Sequence, residues 1–355
     1  MPDFRHAHGY SLVVPRHRLE RRALPDLNPG TDEVVVEVAG CGVCHTDIGF
    51  ALGAVPTRHP LPLVLGHEIA GRVVAAGDQA QGWVGKSVII PAVIPCGACP
   101  ACQADRPTIC RQQFMPGNDG DGGFATHVRV PARGLCPVPA SLPPGLTLDM
   151  LAVVADAVTT PYEAVRRAGL NAQDVAVFVG VGGIGGFGVQ VAAAFGAAVV
   201  AMDIDRERLQ LAAQHGASLT LETGSSALKE LKSAVRSFAK DSGRKGIGLK
   251  VFETSGTPEG QALAFGLLDH GGYLAVVGYT PQKVELCLSH LMAFDATARG
   301  NWGCPPQYYP AALALVLEGK VILAPYIEKH PLDDAPDVFQ AVAEHRIRRR
   351  VVLTP

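Results

Sequence analysis

Apolar residues change their spacing along the chain near residue 150. Before that point they form short β-branched runs separated by glycine and proline, as in VVVEVAG (34–40), IAGRVVAAG (69–77) and SVIIPAVI (87–94). Short runs of this kind are typical of β-strands joined by long loops. The first part of the chain is therefore predicted to be β-rich.

After residue 150 the apolar runs alternate with segments of helical periodicity. VAVFVG, AAVVAMD, LKVFET and GGYLAVVG read as buried strands, with shorter strands near Leu219 and from Thr297 to Trp302. Helices are predicted up to about Phe195, over DRERLQLAAQHG, from about Ser225 to Lys240, and from Gly260 to Leu268. This alternation predicts a doubly wound α/β domain.

Two segments refine this division. The stretch 175–202 is apolar enough by length alone for a membrane span, but its glycines and its flanking residues Asp174 and Asp203 favour a buried strand–helix–strand. The last fifty residues, with a helix over 310–318 and the closing strand RRVVLTP, are expected to return to the first domain. The predicted domains are 1–157 with 299–355, and 158–298.

Composition narrows the class of partner. The 355-residue chain is long enough for two cores, and its net charge of −2 gives no excess of basic residues for nucleic acid or an anionic membrane. A small-molecule partner is expected. The polar start MPDFRHAHGY has no apolar signal region, which predicts a cytoplasmic protein with reduced thiols.

Four cysteines lie within fifteen residues, and their spacing is x2, x2, x7: Cys96, Cys99, Cys102 and Cys110. Short Cys-x2-Cys steps let a turning backbone aim several thiolates at one zinc ion. Paired disulfides and an iron–sulfur cluster are the alternatives. The spacing favours a structural zinc lobe over 95–111.

A glycine-rich loop stands at a predicted strand-to-helix junction and contains Gly180, Gly182, Gly183, Ile184 and Gly185. Such a loop turns tightly, lets the backbone approach a pyrophosphate and places the anion at a helix N-terminus. Asp203 ends the next strand, about 20 residues on, where an acidic side chain holds ribose hydroxyls and repels a 2′-phosphate. NAD is thus favoured over NADP, although Arg206 and Arg208 leave NADP open.

A second set of possible metal ligands lies in the first domain, in Cys44-His45-Thr46-Asp47 and Gly66-His67-Glu68. Together with the cysteine lobe and the glycine loop, in this order and over nearly the whole chain, these motifs resemble the zinc-dependent medium-chain alcohol dehydrogenases. The resemblance implies a GroES-like (chaperonin-10-like) β-barrel catalytic domain, a Rossmann cofactor domain, two zinc ions per chain and NAD. It also implies a homodimer or homotetramer.

The resemblance assigns roles to single residues. Cys44 and His67 match two ligands of a catalytic zinc, and Asp156 stands where many relatives carry a cysteine as the third ligand. Glu68 matches a carboxylate beside, or exchanging onto, that zinc, and Thr46 matches the hydroxyl that takes the alcohol proton. The cofactor contacts implied are His45, Thr160, Val277, Gly278 and Arg350, in addition to the glycine loop, Asp203 and Arg208.

The implied reaction is oxidation of an alcohol by hydride transfer to NAD, with zinc as the Lewis acid at the substrate oxygen. Gly49 stands where several relatives place a proton-relay histidine, so the proton must leave through ribose hydroxyls, water or another residue such as His59. A rival zinc-free quinone reductase should lack the Cys44–His67 pair. A non-catalytic zinc protein would need no cofactor loop.

The substrate is suggested by a closer resemblance within the family. AGCGVCHTDIGF, GAVPTRHPLPLVLGHEIAGRVV, VIIPAVIPCGACPAC and MPGND are similar to 6-hydroxycyclohex-1-ene-1-carbonyl-CoA dehydrogenases of anaerobic benzoyl-CoA degradation. That resemblance implies a cyclic allylic alcohol on an acyl-CoA thioester. The ketone product is an activated alkene, and hydration of it at the same site is a further hypothesis. The alternative is a generic alcohol or polyol dehydrogenase.

Overall fold

The computed structural model describes residues 4–24, 27–224 and 226–355. These fold into two compact units. The first contains the chain up to Thr159, Gly303–Leu313 and Tyr326–Pro355, and the second contains Thr160–Trp302 and Ala314–Pro325. Ser225, where a helix was predicted to begin, lies outside the described residues.

The strands are numbered in chain order: β1 His8–Leu12, β2 Glu20–Ala23, β3 Glu33–Gly42, β4 Leu63–Val64, β5 Glu68–Ala76, β6 Ser87–Ile90, β7 His127–Pro131, β8 Cys136–Pro137, β9 Val175–Val179, β10 Ala198–Asp203, β11 Leu219–Glu222, β12 Lys250–Glu253, β13 Tyr273–Val276, β14 Thr297–Gly300, β15 Ile327–Pro331 and β16 Arg350–Thr354. The α-helices are α1 His45–Ala51, α2 Pro100–Gln103, α3 Thr159–Arg167, α4 Gly185–Ala194, α5 Arg206–Gln214, α6 Leu228–Asp241, α7 Pro258–Gly266, α8 Ser289–Phe294, α9 Tyr309–Leu317 and α10 Ala335–Ala343. A 3₁₀ helix covers Asp149–Ala155.

The first unit is built around β3, and seven of the ten residues in its sequence EVVVEVAGCG are buried. β3 pairs antiparallel with β5, β7 and β16 in a seven-stranded sheet of order β15-β16-β3-β5-β6-β8, with β7 beside β3. A three-stranded sheet, β2-β1-β4, accompanies it. Their core consists of fully buried aliphatic and aromatic side chains, among them Val36, Leu63, Ile69, Ile90 and Phe124.

The second unit is a parallel six-stranded sheet of order β11-β10-β9-β12-β13-β14. Counted from the first of its own strands, this is the order 3-2-1-4-5-6 of the Rossmann fold. Every residue of β9 is buried, as expected for a central parallel strand, and Phe178 stacks on Phe252 of β12 with ring centroids 4.6 Å apart. The doubly wound prediction is confirmed.

The structure departs from one sequence prediction and agrees with another. Residues 314–325 were expected in the first domain, and residues 175–202 were expected to form a strand, a helix and a strand. Residues 314–325 belong to the second unit, where the Gln190 amide bonds the backbone of Ile322 through both its nitrogen and its oxygen. Residues 175–202 form β9, α4 and most of β10, as expected, and in the described chain no helix is both long and apolar enough to cross a membrane.

Candidate active site

Cys44 lies at the first turn of α1, directly after β3. It is the N-cap of the helix, and its backbone N–H donates to Oδ2 of Asp47 at 2.9 Å. Asp47 is fully buried and stands at the third position of α1, where a carboxylate stabilises free N–H groups. The local helix start therefore fixes the direction of the Cys44 thiol.

His67 is the residue before β5 and is 2% exposed. Its Nδ1 lies 3.0 Å from Oδ1 of Asp47, and the Gly66 N–H donates to the same oxygen at 3.2 Å. A carboxylate on one ring nitrogen orients the other nitrogen for a metal. Burial lowers the pKa of His67, but the carboxylates of Asp47 and Asp156 outweigh burial and raise it well above its usual value.

Asp156 follows the 3₁₀ helix Asp149–Ala155, and the last carbonyl of this helix accepts hydrogen bonds from two side chains. The Tyr309 hydroxyl donates to the Ala155 oxygen at 2.5 Å, and Thr159 Oγ1 donates to it at 3.1 Å. Asp156 Oδ2 lies 3.7 Å from Cys44 Sγ and 3.6 Å from His67 Nε2. The first unit thus brings together the three predicted zinc ligands.

These distances fit one zinc ion. For a tetrahedral ion with its usual sulfur, nitrogen and oxygen bond lengths, the sulfur–oxygen edge is about 3.6 Å and the nitrogen–oxygen edge about 3.4 Å. The donors of Cys44, His67, Glu68 and Asp156 all lie within 4.8 Å of one another. A site with one thiolate, one imidazole and one carboxylate leaves a fourth position for substrate.

Glu68 is fully buried beside these ligands, but its carboxylate faces Arg350. Arg350 Nε donates to Oε2 at 3.0 Å, Nη2 donates to Oε1, and Nη2 also lies 3.9 Å from Oδ2 of Asp156. Burial raises the pKa of Glu68 to about 7, while the Arg350 guanidinium opposes that shift. Two donors of Arg350 are thus used inside the first unit.

Three other residues of α1 were singled out in the sequence analysis: Thr46, His45 and Gly49. Thr46 Oγ1 lies 3.7 Å from Cys44 Sγ. The exposed ring of His45 stacks on His345, with centroids 5.8 Å apart. A Cβ added at Gly49 would meet no atom within 4 Å, so α1 has open space at this position.

The four sulfur atoms of the cysteine lobe lie close enough together to hold a second metal ion. Its sulfur atoms lie 3.9 Å (Cys96–Cys102), 3.6 Å (Cys99–Cys102) and 3.7 Å (Cys99–Cys110) apart. Four sulfurs at 2.3 Å from one ion form a tetrahedron with edges of about 3.8 Å. The spacing fits a single ion, and all nine cysteines are free, which excludes paired disulfides.

Backbone N–H groups stabilise the thiolate form of one cysteine in this lobe. The N–H groups of Ala98 and Cys99 donate to Cys96 Sγ at 3.4 and 3.3 Å and lower its pKa to about 6. Burial and the neighbouring sulfurs raise the pKa of Cys102 to about 12. Four thiolates this close need a cation.

The glycine loop of the second unit connects β9 to α4, as predicted. Gly180 has φ +87°, and a Cβ on it would lie 2.5 Å from Cα of Ser255. A Cβ on Gly185 would lie 1.9 Å from the Gly180 carbonyl oxygen. Larger side chains are excluded at both positions, so the loop has the tight form that brings backbone N–H groups to a pyrophosphate.

Asp203 ends β10 and is 6% exposed. Its Oδ2 accepts from the Val181 N–H at 2.7 Å, and its Oδ1 lies 4.0 Å from Arg208 Nη1. Val277 and Gly278 follow β13 and donate their N–H groups to the Glu253 carbonyl. Thr160 is buried at the start of α3, and its carbonyl accepts from Asn301.

One residue important for the metal centre was missed from the sequence. Asp47 was quoted in the motif but given no role, although it orients both Cys44 and His67. The signal was present, because an acidic residue three positions after a helix N-cap usually bonds that N-cap.

The chain combines three possible zinc ligands, which leave a fourth position open for substrate, with a dinucleotide-binding loop. This combination is typical of a metal-dependent nicotinamide dehydrogenase. The family model "Alcohol dehydrogenase GroES-like domain" matches residues 30–140, and "Zinc-binding dehydrogenase" matches 183–318. The chain belongs to the zinc-dependent medium-chain alcohol dehydrogenases. The expected GroES-like domain, Rossmann domain, zinc and nicotinamide cofactor are thereby confirmed.

Three relatives illustrate the similarity. An alcohol dehydrogenase of Geobacillus stearothermophilus is 30% identical over 90% of this chain and 91% of its own. The crystal structure of galactitol-1-phosphate dehydrogenase from Escherichia coli superposes with a TM-score of 0.86 at 25% identity, covering 98% of this chain and 100% of that chain. Acetophenone reductase from Geotrichum candidum, solved with NAD, has a TM-score of 0.84 at 27% identity, covering 98% and 97%. None of these three is named for an acyl-CoA substrate.

Proposed function

We propose that this zinc-dependent alcohol dehydrogenase uses Cys44, His67 and Asp156 as the ligands of its catalytic zinc. The observation that carries the proposal is the agreement of the ligand distances with a single tetrahedral ion. When bound there, zinc acts as a Lewis acid toward the alcohol oxygen and lowers its pKa. Cys96, Cys99, Cys102 and Cys110 hold a second, structural zinc.

The residues around the proposed zinc ligands orient these ligands and pair the charges beside them. Asp47 holds His67 by its second ring nitrogen, and Arg350 keeps Glu68 as an ion pair beside the metal ligands. Thr46 takes the alcohol proton, and because Gly49 has no side chain to relay it, water, cofactor ribose hydroxyls or another residue such as His59 carry it onward. His45 and Arg350 are proposed to contact the pyrophosphate.

The nicotinamide cofactor is proposed to bind through the glycine loop, with its ring against Thr160, Val277 and Gly278. NAD is proposed over NADP because the carboxylate of Asp203 ends β10 and would repel a 2′-phosphate. Arg208 offers one partner for such a phosphate, but its Nη1 lies 4.0 Å from Asp203 Oδ1.

For the substrate we propose 6-hydroxycyclohex-1-ene-1-carbonyl-CoA, oxidised to the 6-oxo thioester. The sequence stretches that resemble such dehydrogenases support it. The first unit also contains a cavity of about 300 Å³ whose lining includes Phe50, Val55, Arg58, His59 and Leu61 but none of the proposed zinc ligands. Arg58 and His59 offer cationic and hydrogen-bonding groups to a phosphate, although Arg58 also bonds Asp119 at 3.1 Å. The second candidate is a generic alcohol or polyol dehydrogenase, which the names of the relatives favour.

A substrate screen tests the proposal. NAD reduction is followed with simple secondary alcohols, polyols and hydroxyacyl-CoA thioesters, and zinc is counted on the same sample. About two zinc ions per chain and turnover of the CoA thioester are expected. Turnover of free alcohols alone would exclude the CoA substrate and leave the generic function. A single zinc without turnover would indicate a non-catalytic protein.

Hydration of the product is a related proposal. The product alkene is conjugated with two carbonyls, so water can add its oxygen to the β-carbon and a proton to the α-carbon without any redox change. Incubating the enzyme with the enone and no nicotinamide cofactor should yield the hydroxy ketone. Unchanged enone after prolonged incubation would remove the hypothesis.

A homodimer or homotetramer in the cytoplasm is also proposed. β14 lies at the edge of the six-stranded sheet, and all four of its residues are exposed, so it has one free edge for a second copy. Nine free thiols are in keeping with a reducing compartment. Light scattering of the purified protein tests the first point.

A further inference from the structure

Glu253 is a buried carboxylate at the carboxyl end of β12, between β9 and β13. Its side chain is fully buried, and one of its oxygens, Oε1, accepts three hydrogen bonds. The donors are the Ser255 N–H at 2.8 Å, the Ser255 hydroxyl at 2.6 Å and the Gly256 N–H at 3.0 Å. Several donors on one carboxylate oxygen stabilise the ionised form.

The other oxygen of Glu253 is different. Oε2 is buried and has no hydrogen-bond partner among the described residues. In that part of the chain no lysine, arginine or histidine forms an ion pair with Glu253. Burying a carboxylate without a compensating partner costs free energy, and a proton on Oε2 would find no acceptor here. Among the described residues, the second unit therefore contains a buried carboxylate with one oxygen that no positive group or hydrogen-bond donor compensates.

The position of Oε2 indicates what compensates this charge. The Val277 and Gly278 N–H groups donate to the Glu253 backbone oxygen at 2.9 and 3.0 Å. A Cβ added at Gly278 would come within 2.8 Å of Oε2. The carboxylate thus lies against the peptide that is proposed to contact the nicotinamide ring.

Oxidised nicotinamide has one positive charge, which disappears when the ring accepts hydride. We propose that Glu253 determines the oxidation-state preference of the cofactor site: its buried charge favours NAD⁺ over NADH. This inference rests on the proposed nicotinamide placement. The cofactor loses this attraction when the ring accepts hydride, so the carboxylate does not help to retain the reduced product, and product release limits turnover in many enzymes.

The experiment measures binding without substrate. Dissociation constants for NAD⁺, by calorimetry, and for NADH, by its fluorescence, are compared in the wild-type holoenzyme and in Glu253→Gln, which keeps the shape and removes the charge. The ratio Kd(NAD⁺)/Kd(NADH) is expected to rise about tenfold, since charges several ångströms apart interact strongly in a buried site. Ser255→Ala is the matched control, because it removes one donor to Oε1 and leaves the charge. Its ratio should stay near the wild-type value.

Two results would overturn the inference. An unchanged ratio in Glu253→Gln, or an equal change in both dissociation constants, would show that the carboxylate only shapes the loop. If the Gln variant does not fold, Glu253→Asp replaces it; this variant withdraws the charge by one methylene and should raise the ratio about two- to threefold. Failure of the wild-type protein to bind either cofactor would contradict the proposed function instead, and is distinguishable.

Discussion

The Tyr309 hydroxyl gives the sharpest test of how the metal centre is positioned. Tyr309 is 1% exposed, and its hydroxyl joins two backbone segments of the first unit. It donates to the Ala155 oxygen at 2.5 Å and accepts from the Ala92 N–H at 3.1 Å. Ala155 precedes the proposed zinc ligand Asp156. We expect Tyr309→Phe to destabilise the unit and to weaken zinc binding at the Cys44 site.

The magnitude follows from the two bonds. The Phe ring keeps the packing, so only polar terms change. The buried Ala92 N–H loses the one partner it has among the described residues, which costs about 1–3 kcal/mol. The Ala155 oxygen still accepts a hydrogen bond from the Thr159 hydroxyl at 3.1 Å. Losing the Tyr309 bond to this oxygen therefore costs only about 0.5–1.5 kcal/mol. The expected total is about 1.5–4.5 kcal/mol. We also expect a 10- to 100-fold loss of zinc affinity, as for other residues that orient metal ligands.

The assay separates stability from positioning. Unfolding by denaturant gives the change in stability, and chelator competition with the cobalt-substituted enzyme gives metal affinity together with the ligand-field spectrum of the Cys44 site. Leu19→Ala, a core change with an expected cost of about 2–5 kcal/mol, is the control. If Tyr309→Phe loses stability as Leu19→Ala does but retains wild-type metal affinity and spectrum, the positioning argument is refuted.

Further predictions concern other parts of the two sites. Asp156→Ala should reduce zinc from about two ions per chain to about one while the cysteine-lobe ion stays, and metal analysis showing both ions retained would contradict its role. Cys102→Ser should release the other ion and leave NADH binding, measured by fluorescence, unchanged; loss of binding would show that the lobe supports the cofactor unit. Asp203→Ala should improve the kcat/KM for NADP relative to NAD by at least about tenfold, because a repulsive charge is removed; an unchanged ratio would contradict that assignment. Gly49→Ala should stabilise α1 by about 0.5–1 kcal/mol in denaturant unfolding, since its Cβ meets open space; destabilisation would show an unseen contact.

Local patterns in the sequence predicted local parts of the structure. The four cysteines of the lobe lie within one short segment, so their spacing alone indicated a common ion. The strand, glycine loop and helix around Gly180 were likewise predictable, because closely spaced glycines directly follow an apolar run. The doubly wound class of the second unit followed from the alternation of elements, whereas its strand order came from the structure.

Contacts between distant segments could not be predicted from one sequence. The ion pair between Glu68 and Arg350 joins residues 282 positions apart, and the Tyr309–Ala155 bond joins residues 154 positions apart. No periodicity or spacing encodes such pairs, since they depend on how β16 and the Asp149–Ala155 helix pack on the sheet. Asp156 was assigned only through family resemblance, because an isolated aspartate has no local signal for metal binding.

The ligands of the two metal sites differ in their separation along the chain, which has a consequence for the order in which the sites assemble. Cys96 and Cys110 are 14 positions apart, whereas Cys44 and Asp156 are 112 positions apart. Three successive doublings of the shorter loop give the length of the longer one. Closing the longer loop therefore costs about 2 kcal/mol more in conformational entropy. The cysteine lobe can therefore capture its ion while most of the barrel is still unstructured. The Cys44 site forms only when the barrel is complete, so its ion reports the integrity of the whole unit.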